Sequence, residues 1–307
     1  MKYIKIMRLD HWIKQLFIIP GCVFSLFLTD TNISMGTIKR FILGFLATCF
    51  IASANYVINE YLDAEFDKYH PIKKYRPVVA DGLNGKIVVG LWILLTITGC
   101  CIALPLGKAF FLTTIWLWLM GIIYNVKPIR SKDLPFIDVL SESINNAIRL
   151  LMGWFIISSN TFPPSSIILG YWMGGAFLMG TKRYAEYRMI NDSQTAASYR
   201  KSYAFYTEST LLISSFYYAM LSVFFTGVFL IKYRIELVLF IPVLIGLFCY
   251  YFYLSFKEDS AVQKPEKLFK ERGLMYFCLI CIVLFVVLMM VDIPWLSVFV
   301  DNTLLEF

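Results

Sequence analysis

Charged residues are scarce in this chain of 307 residues, at 16% of the sequence, while 59% of it is hydrophobic. Average soluble proteins carry about 25% charged residues, so the composition disfavours a soluble globular protein. The apolar residues stand in blocks of about 20, the length that a helix needs to cross the hydrocarbon core of a bilayer. The sequence therefore predicts an all-α integral membrane protein.

Histidine is nearly absent, and the cysteines form no polar cluster. The two histidines, His11 and His70, are too few and too far apart in the sequence to form a zinc site by themselves. All seven cysteines fall in apolar segments, and the C-x-x-C from Cys278 to Cys281 has no second pair and no polar neighbour. We interpret the cysteines as small apolar packing residues.

The sequence also lacks features of nucleic-acid binding and of a modular protein. The net charge is +7, but no basic stretch is interleaved with aromatic residues on a soluble face, so no nucleic-acid partner is expected. No low-complexity segment or separate soluble domain is visible, which predicts one transmembrane domain over residues 1–307. The basic N-terminal segment has no convincing cleavage site, so we expect a retained first span.

Hydropathy predicts about nine transmembrane helices. The weakest division lies within 87–126, where Pro105, Gly107 and Lys108 make the only break. The predicted spans are 12–29, 38–60, 87–105, 109–126, 136–158, 165–185, 210–231, 235–255 and 274–298.

The distribution of cations supports this topology. With the N-terminus in the cytoplasm, 22 of the 28 Lys and Arg residues fall on the cytoplasmic side, including five from Lys257 to Arg272. Five fall on the opposite side, and Arg149 lies inside a span. Cytoplasmic loops of membrane proteins carry an excess of Lys and Arg. We therefore expect the longer, charged loops, and the chemistry, on the cytoplasmic side.

The stretch 59–77, NEYLDAEFDKYHPIKKYRP, combines carboxylates with cations. Asn59, Asp63 and Asp67 recur every fourth residue, which places three oxygen-bearing side chains on one face of a helix. The cations Lys73, Lys74 and Arg76 follow within ten residues. Carboxylates can hold Mg²⁺ and cations can hold phosphate. This stretch therefore predicts one half of a diphosphate site in a membrane enzyme.

Three further polar sets lie on spans 4, 5 and 6, and a bundle could bring all of them around one cavity. Ionisable groups at membrane depth are costly and usually functional. The sets are Tyr124, Lys127, Arg130 and Lys132 after span 4; Asp138, Glu142, Asn145 and Arg149 along span 5; and Lys182, Arg183 and Glu186 at the end of span 6.

Each set also has a purely structural interpretation. The aspartates could be solvated helix-end carboxylates, and Tyr124 with Lys127 could anchor the membrane interface. The polar residues along span 5, which form a stripe on one face of the helix, could contain a purely structural Glu–Arg pair. Lys182 and Glu186 stand four residues apart and could form a salt bridge along one helix.

The motifs resemble the UbiA-type intramembrane prenyltransferase superfamily. Residues 59–67 resemble its N-D-x-x-D-x-x-x-D motif, with Glu60 at the usual Asp position, and Tyr124 with Lys127 match its Y-x-x-K signature. The longer string NEYLDAEFDKYHPIKKYRPVVADG resembles the branch of decaprenyl-phosphate phosphoribosyltransferases, in which the aspartates run into H-P-x-K-x-x-R-P.

Three other segments extend this likeness over residues of about 5–205. RLDHWIKQ resembles the opening R-P-x-Q-W-x-K-N of that branch, with Leu9 for Pro and Gln15 for Asn. Arg149 falls in a segment like V-L-R-A-x-x-G, and GTKRYAEYR matches G-K-R-x-x-E-L. Typical members of the superfamily have a second aspartate cluster on span 6, where this chain has Lys182, Arg183 and Glu186.

The resemblance implies a UbiA-like bundle with a cytoplasm-facing cavity, acting as one catalytic domain in the bacterial plasma membrane. It implies Mg²⁺-dependent transfer of 5-phosphoribose from 5-phosphoribosyl 1-diphosphate to a polyprenyl phosphate of the membrane, for cell-envelope polysaccharide synthesis. The missing second aspartate cluster argues against a prenyl diphosphate donor held between two metal clusters. The sequence does not define an oligomeric state.

The resemblance also implies residue roles. Asp63 and Asp67, helped by Asn59, are expected to hold Mg²⁺, and Glu186 is expected to form a second acidic site. Arg149 and Tyr124 are expected to bind the lipid phosphate. The expected ligands of the donor phosphates are the cations Lys14, Lys73, Arg76, Lys127, Arg130, Lys182 and Arg183.

Two alternative functions remain open on the sequence alone. One is a UbiA-type enzyme that moves a prenyl group from a prenyl diphosphate to an aromatic acceptor, using the same aspartates. The other is a transporter or lipid-binding membrane protein whose charged clusters form an ion or substrate relay.

Overall fold

The computed structural model is all-helical over the residues that it describes. These residues are 2–29, 31–80, 82–257, 260–263, 268 and 270–299, without the side chains of 77 and 80. The helices are α1 (Lys2–Ile6), α2 (Ile19–Leu28), α3 (Met35–Asp67), α4 (Pro77–Ala80), α5 (Gly85–Ala103), α6 (Lys108–Asn125), α7 (Ile137–Ile157), α8 (Ser165–Ile190), α9 (Ser193–Tyr199), α10 (Glu208–Tyr233), α11 (Ile241–Ser255) and α12 (Arg272–Met290).

Short 3₁₀ helices complete the chain within these ranges. Leu9–Ile18 leads directly into α2, and Ile235–Phe240 leads into α11. The others are Lys73–Tyr75, Leu104–Leu106, Ser131–Asp133, Lys201–Ala204, Ala261–Gln263 and Pro294–Phe299.

Seven helical segments of the described chain are long and apolar enough to cross a membrane. They correspond to predicted spans 1 to 4 and 7 to 9, including the division at Gly107. The other two predicted spans coincide with α7 and α8, which carry the polar stripe and the charged end expected from the sequence. The integral membrane class is confirmed, and the count of nine is not. Lys264 and Lys267 of the last inner loop lie outside the described residues.

Helix α3 carries the aspartates well beyond a membrane-spanning length. Ser34 and Thr37 form a capping box at its start, and the helix continues for 33 residues. At 1.5 Å per residue it is about 50 Å long, so its last two turns extend past a hydrocarbon core of about 30 Å. Predicted span 38–60 therefore ends inside a longer helix that includes Asp63 and Asp67.

Helices α2 and α7 cross at two glycines. A Cβ on Gly21 would overlap the carbonyl oxygen of Leu150, and a Cβ on Gly153 would overlap the carbonyl oxygen of Ile18. Only residues without a side chain allow the two backbones to approach so closely. This crossing holds the segment before α2 against the polar stripe of α7.

One end of the bundle collects the loops that follow α3, α6 and α8, and we call it the aspartate end. The short helix α9 contacts α3 there, and Ser131–Asp133 contacts Lys201–Ala204. The sequence predicted this convergence from the positions of the charged loops. The rest of the bundle is filled by apolar side chains between α2, α3, α6 and α7 and between α8, α10, α11 and α12.

Candidate active site

The three polar side chains at the end of α3 share one face, as the spacing predicts. Asn59 donates from its amide nitrogen to Asp63 at 3.1 Å and also to Asn125 of α6. The amide oxygen of Asn59 is therefore the atom available to a ligand. Asp63 and Asp67 stand one turn apart and both line a small cavity at the aspartate end.

Asp63 is held by two cations from the loop after α6. Arg130 donates to its Oδ1 at 3.0 Å, and Lys132 contacts the same oxygen. Lys132 also donates to Asn125 Oδ1 at 2.7 Å. Arg130 and Lys132 are both buried, whereas Lys127 is exposed. The loop thus turns two cations into the site and one away from it.

Asp67 belongs to a second ion-pair chain. Arg76 donates to Asp67 Oδ2 at 2.8 Å and lies 3.1 Å from Oε1 of Glu60. Arg8 donates to the same glutamate oxygen at 2.8 Å. Glu60, which replaces Asp in the motif, is 4% exposed and is occupied by two arginines. Through Arg8 and Arg76, Glu60 links the N-terminal segment to the loop after α3.

Glu186 is enclosed by donors from the loop after α3 and from the segment after α9. Lys73 donates to its Oε1 at 2.6 Å, and Tyr203 donates to its Oε2 at 2.8 Å. His70 Nδ1 accepts from the backbone N–H groups of Ile72 and Lys73, both at 3.1 Å. The ring proton therefore lies on Nε2, which donates to Glu186 at 3.2 Å. The salt bridge from Lys182 to Glu186 that the sequence allowed is not formed.

Asp138 and Glu142, at the start of α7, bind the guanidinium of Arg183. Arg183 contacts Glu142 Oε2 and lies 3.4 Å from Asp138 Oδ2. Asp138 is fully buried, and it also accepts from Tyr206 at 2.6 Å. Breaking a buried pair by removing one partner typically costs about 3–5 kcal/mol. The charge of Arg183 is thus committed to holding α7 and α8 together.

Tyr124 is part of this same network. Its hydroxyl donates to Glu142 at 2.6 Å and accepts from Arg183 and Arg200, each at 3.1 Å. The glutamate of the predicted Glu–Arg stripe therefore pairs with α8 and not with Arg149 of its own helix.

Three of the predicted phosphate-binding cations remain: Lys14, Arg149 and Lys182. Lys14 lies 3.0 Å from Nδ1 of His11. Arg149 donates to Gln15 at 2.7 Å and to Asn146 at 3.2 Å, and Lys182 is partly buried. Over the described chain, neither Arg149 nor Lys182 forms an ion pair with a carboxylate.

Burial changes the titration of two groups in the loops of the site. It lowers the pKa of Lys132 to about 8; the attraction of Asp63 opposes this change, and the repulsion of Arg130 adds to it. It also lowers the pKa of His70, although the hydrogen bond to Glu186 acts in the opposite direction. His70 is therefore neutral at pH 7, in agreement with its role as an acceptor of backbone N–H groups.

Several site residues were not identified from the sequence. Arg200 and Tyr199 line the cavity beside the aspartates, and they come from the charged loop after α8. Asn125 stands inside the Y-x-x-K motif but was not given a role. Its neighbours in the motif could have drawn attention to it, whereas the inward turn of Arg200 depends on α9, which the sequence pattern did not predict.

The arrangement suits a magnesium-bound polyphosphate. Mg²⁺ often uses one or two carboxylates and completes its octahedron with water and substrate phosphate oxygens. Asp63, Asp67 and the oxygen of Asn59 supply ligands of that kind on one helix face. The part of the chain that is described holds no cluster of three His, Cys, Asp or Glu side chains suited to bind a metal.

A membrane-embedded helical bundle with paired aspartates and cations at one end of its helices defines the class of this protein. The chain belongs to the UbiA prenyltransferase family, which it matches over residues 18–280. The likeness that the motifs suggested is thereby confirmed.

Curated relatives include the decaprenyl-phosphate phosphoribosyltransferase of Corynebacterium glutamicum, which is 27% identical over 68% of this chain and 60% of that protein. The enzyme of the same name from Mycolicibacterium smegmatis is 26% identical over 68% of this chain and 63% of its own length. Nodulation protein NoeC of Azorhizobium caulinodans is 27% identical over 66% and 63%. The chain thus spans about 60% of the length of the curated relatives that it matches first.

Solved structures share the fold. A UbiA homolog from Archaeoglobus fulgidus bound to DMAPP and Mg²⁺ aligns with a TM-score of 0.69 at 18% identity, covering 92% of this chain and 100% of that one. A UbiA homolog from Aeropyrum pernix aligns with a TM-score of 0.61 at 15% identity, covering 86% and 97%. At this identity the likeness concerns the fold alone.

Proposed function

We propose that this protein is a Mg²⁺-dependent membrane enzyme that transfers 5-phosphoribose from 5-phosphoribosyl 1-diphosphate to a polyprenyl phosphate. The observation that carries the proposal is that the charged cluster at the end of α8, on predicted span 6, offers no free carboxylate. Its one carboxylate, Glu186, is saturated by Lys73, His70 and Tyr203. Asp63 and Asp67 are also paired with cations, but unlike Glu186 they line the cavity, where they can meet a metal. The relatives named decaprenyl-phosphate phosphoribosyltransferase support the same choice.

Asp63, Asp67 and Asn59 would hold the metal against the diphosphate of the donor. Bound Mg²⁺ would supply charge neutralisation for the leaving diphosphate. Since both aspartates are paired with cations, ligand binding requires an exchange of partners. Asp63 and Asp67 would then hold the metal, and Lys132, Arg130 and Arg76 would bind the phosphates.

This exchange accounts for the large number of cations around two carboxylates. A donor with a diphosphate and a separate 5-phosphate carries more negative charge than a prenyl diphosphate alone. Phosphate oxygens accept charge-assisted hydrogen bonds from arginine and lysine. Arg200 at the cavity wall is a further cation within reach of the donor.

The reaction is a displacement at the anomeric carbon of the ribose. A phosphate oxygen of the lipid forms the new bond to that carbon, and the bond to the diphosphate oxygen breaks. The attacking phosphate is already anionic at neutral pH, so the site needs no strong general base. The products are polyprenyl-phosphoryl 5-phosphoribose and diphosphate, which would serve cell-envelope polysaccharide synthesis.

The proposal places the protein in the bacterial plasma membrane with the aspartate end toward the cytoplasm. The excess of Lys and Arg in the loops at that end supports this orientation. A soluble phosphoribosyl donor would then reach the aspartates from the cytoplasm, and the lipid would reach them from the bilayer.

The test is transfer by the purified protein, supplied with labelled donor, polyprenyl phosphate and Mg²⁺. Asp63→Ala and Asp67→Ala should each lower transfer at least a hundredfold, because each removes a ligand of the charge-neutralising metal. Glu65→Ala is the matched control, since Glu65 lies on the same helix and is exposed. Undiminished transfer by both aspartate variants would refute the metal assignment.

A further inference from the structure

Arg149 is a charged side chain of α7, which coincides with a predicted span. It forms no ion pair with a described residue. Its Nε donates to Gln15 at 2.7 Å, and its Nη1 donates to Asn146 at 3.2 Å. Both partners are neutral, so they orient the guanidinium without cancelling its charge. An arginine has five N–H groups, and most of these remain without a protein acceptor in the described chain.

The other arginines at this end of the bundle are in a different state. Arg183, Arg130 and Arg76 each lie within 3.5 Å of at least one carboxylate. An unpaired charge at membrane depth is costly, and such residues usually face a partner or a functional cavity. Arg149 is therefore a candidate to bind an anion that the protein itself does not supply.

The surroundings of Arg149 are built for such an anion. The ring of Tyr56 on α3 packs against His11 with the ring centroids 5.1 Å apart, and Gln15, one turn later in the same segment, accepts from Arg149. Tyr171 donates its hydroxyl to the Phe17 carbonyl at 3.2 Å, but Tyr56 forms no hydrogen bond with any described group. The Tyr56 hydroxyl and the free N–H groups of Arg149 are thus donors from two helices that lack an acceptor.

The depth of this position separates it from the donor site. Tyr56 precedes Asp63 by roughly two turns of α3, or about 10 Å along the helix axis. A diphosphate held at Asp63 and Asp67 would not cover Arg149. An anion at Arg149 would therefore be a second group, separate from the diphosphate.

The lateral surface beside Arg149 is apolar and exposed. The contact between Tyr171 and Phe17 lies at an exposed position between α8 and the segment before α2. Ile13, Leu16 and Phe17 of that segment are also exposed. An amphiphile with an anionic head and an apolar tail suits both surfaces, since the head would meet Arg149 while the tail stays in lipid.

We propose that Arg149 and Tyr56 bind the phosphate of the lipid acceptor, with Gln15 and Asn146 positioning the guanidinium. The inference rests on the proposed function and assigns its acceptor subsite. Tyr124, whose hydroxyl is occupied by three partners, is not part of the subsite.

Binding of a short prenyl phosphate tests the assignment without requiring catalysis. Farnesyl phosphate, farnesol and inorganic phosphate are titrated separately into the full-length protein in detergent. Wild-type protein should bind farnesyl phosphate much more tightly than the other two compounds. Arg149→Gln should weaken farnesyl phosphate binding about ten- to a hundredfold, the effect of losing a charged hydrogen-bond donor. Tyr56→Phe should weaken it less, in the same direction.

Controls separate this subsite from the donor site and from misfolding. Arg188→Gln removes a partly exposed arginine of α8 and should leave farnesyl phosphate binding unchanged. Arg149→Gln should change the affinity for Mg²⁺ with 5-phosphoribosyl 1-diphosphate less than twofold. Tyr56→Phe provides the same test if the arginine variant does not fold.

Three results would overturn the inference: unchanged farnesyl phosphate binding by Arg149→Gln and Tyr56→Phe, equal affinity of the wild type for inorganic phosphate, or loss of donor binding in place of lipid binding. Absence of phosphoribosyl transfer in the wild type, with Arg149-dependent farnesyl phosphate binding intact, would instead refute only the proposed reaction.

Discussion

The cations at the aspartate end differ from one another chiefly in whether each already has a carboxylate partner. Lys132 and Arg130 are bound to Asp63, and Arg76 is bound to Asp67. Metal alone must displace these cations, and diphosphate alone must take them from the aspartates. The two ligands should therefore bind cooperatively, because each removes the partner that opposes the other.

Lys132→Gln isolates this competition. Loss of the ammonium frees Asp63 from one cation, so Mn²⁺ alone should bind several-fold more tightly. Diphosphate in the presence of Mg²⁺ should bind about tenfold more weakly, since one charge-assisted hydrogen bond is lost. Titration calorimetry of the purified protein measures both affinities.

Lys68→Gln is the matched control, because Lys68 is exposed just beyond the end of α3. It should leave both affinities at their wild-type values. Unchanged Mn²⁺ binding by Lys132→Gln would mean that Lys132 does not compete with metal for Asp63.

Spacing predicted which polar residues share a helix face, and the structure agrees for Asn59, Asp63 and Asp67. It could not predict ion-pair partners between helices. Glu186 binds Lys73, which is far away in the sequence, and not the nearby Lys182. A regular spacing describes one helix, whereas such pairs depend on how the bundle assembles.

At the scale of helices, the crossing of α2 and α7 positions the proposed acceptor subsite. Gly21 and Gly153 let the two backbones touch, and this contact brings Gln15 to Arg149 on α7. Arg40 fixes the other end of α7 by donating to the Ile156 carbonyl at 2.7 Å. The sequence showed these glycines within apolar spans but gave no sign of which helix each would meet.

Gly153→Ala should destabilise the bundle, because its Cβ would overlap the Ile18 carbonyl and force the backbones apart. Overpacking of this kind costs about 1–3 kcal/mol, which should lower the midpoint of thermal unfolding in detergent. Gly90→Ala is the matched control, since nothing lies within 4 Å of its added Cβ. It should keep or raise the midpoint, as alanine favours helix over glycine. Equal midpoints for both variants would show that the crossing is not tight.

For the whole molecule, composition and the distribution of cations were sufficient to predict a helical membrane protein with its charged loops at one end. Hydropathy located α7 and α8 as well, although the polar residues of both helices make them less apolar than the other spans. Their polarity has a structural reason, because Asp138, Glu142 and Arg183 link the two helices across the interior. Short elements such as α9, which turn Tyr199 and Arg200 into the cavity, have no comparable periodic signal.

The central claim is that the aspartate end holds a phosphoribosyl donor, and the fate of that donor's atoms tests it most directly. The purified protein receives 5-phosphoribosyl 1-diphosphate labelled either in the ribose or in the diphosphate, together with polyprenyl phosphate and Mg²⁺. The account predicts that the ribose label enters the lipid phase while the diphosphate label is released into water. Failure of the ribose label to reach the lipid, with consumption of a prenyl diphosphate supplied beside an aromatic acceptor, would contradict it.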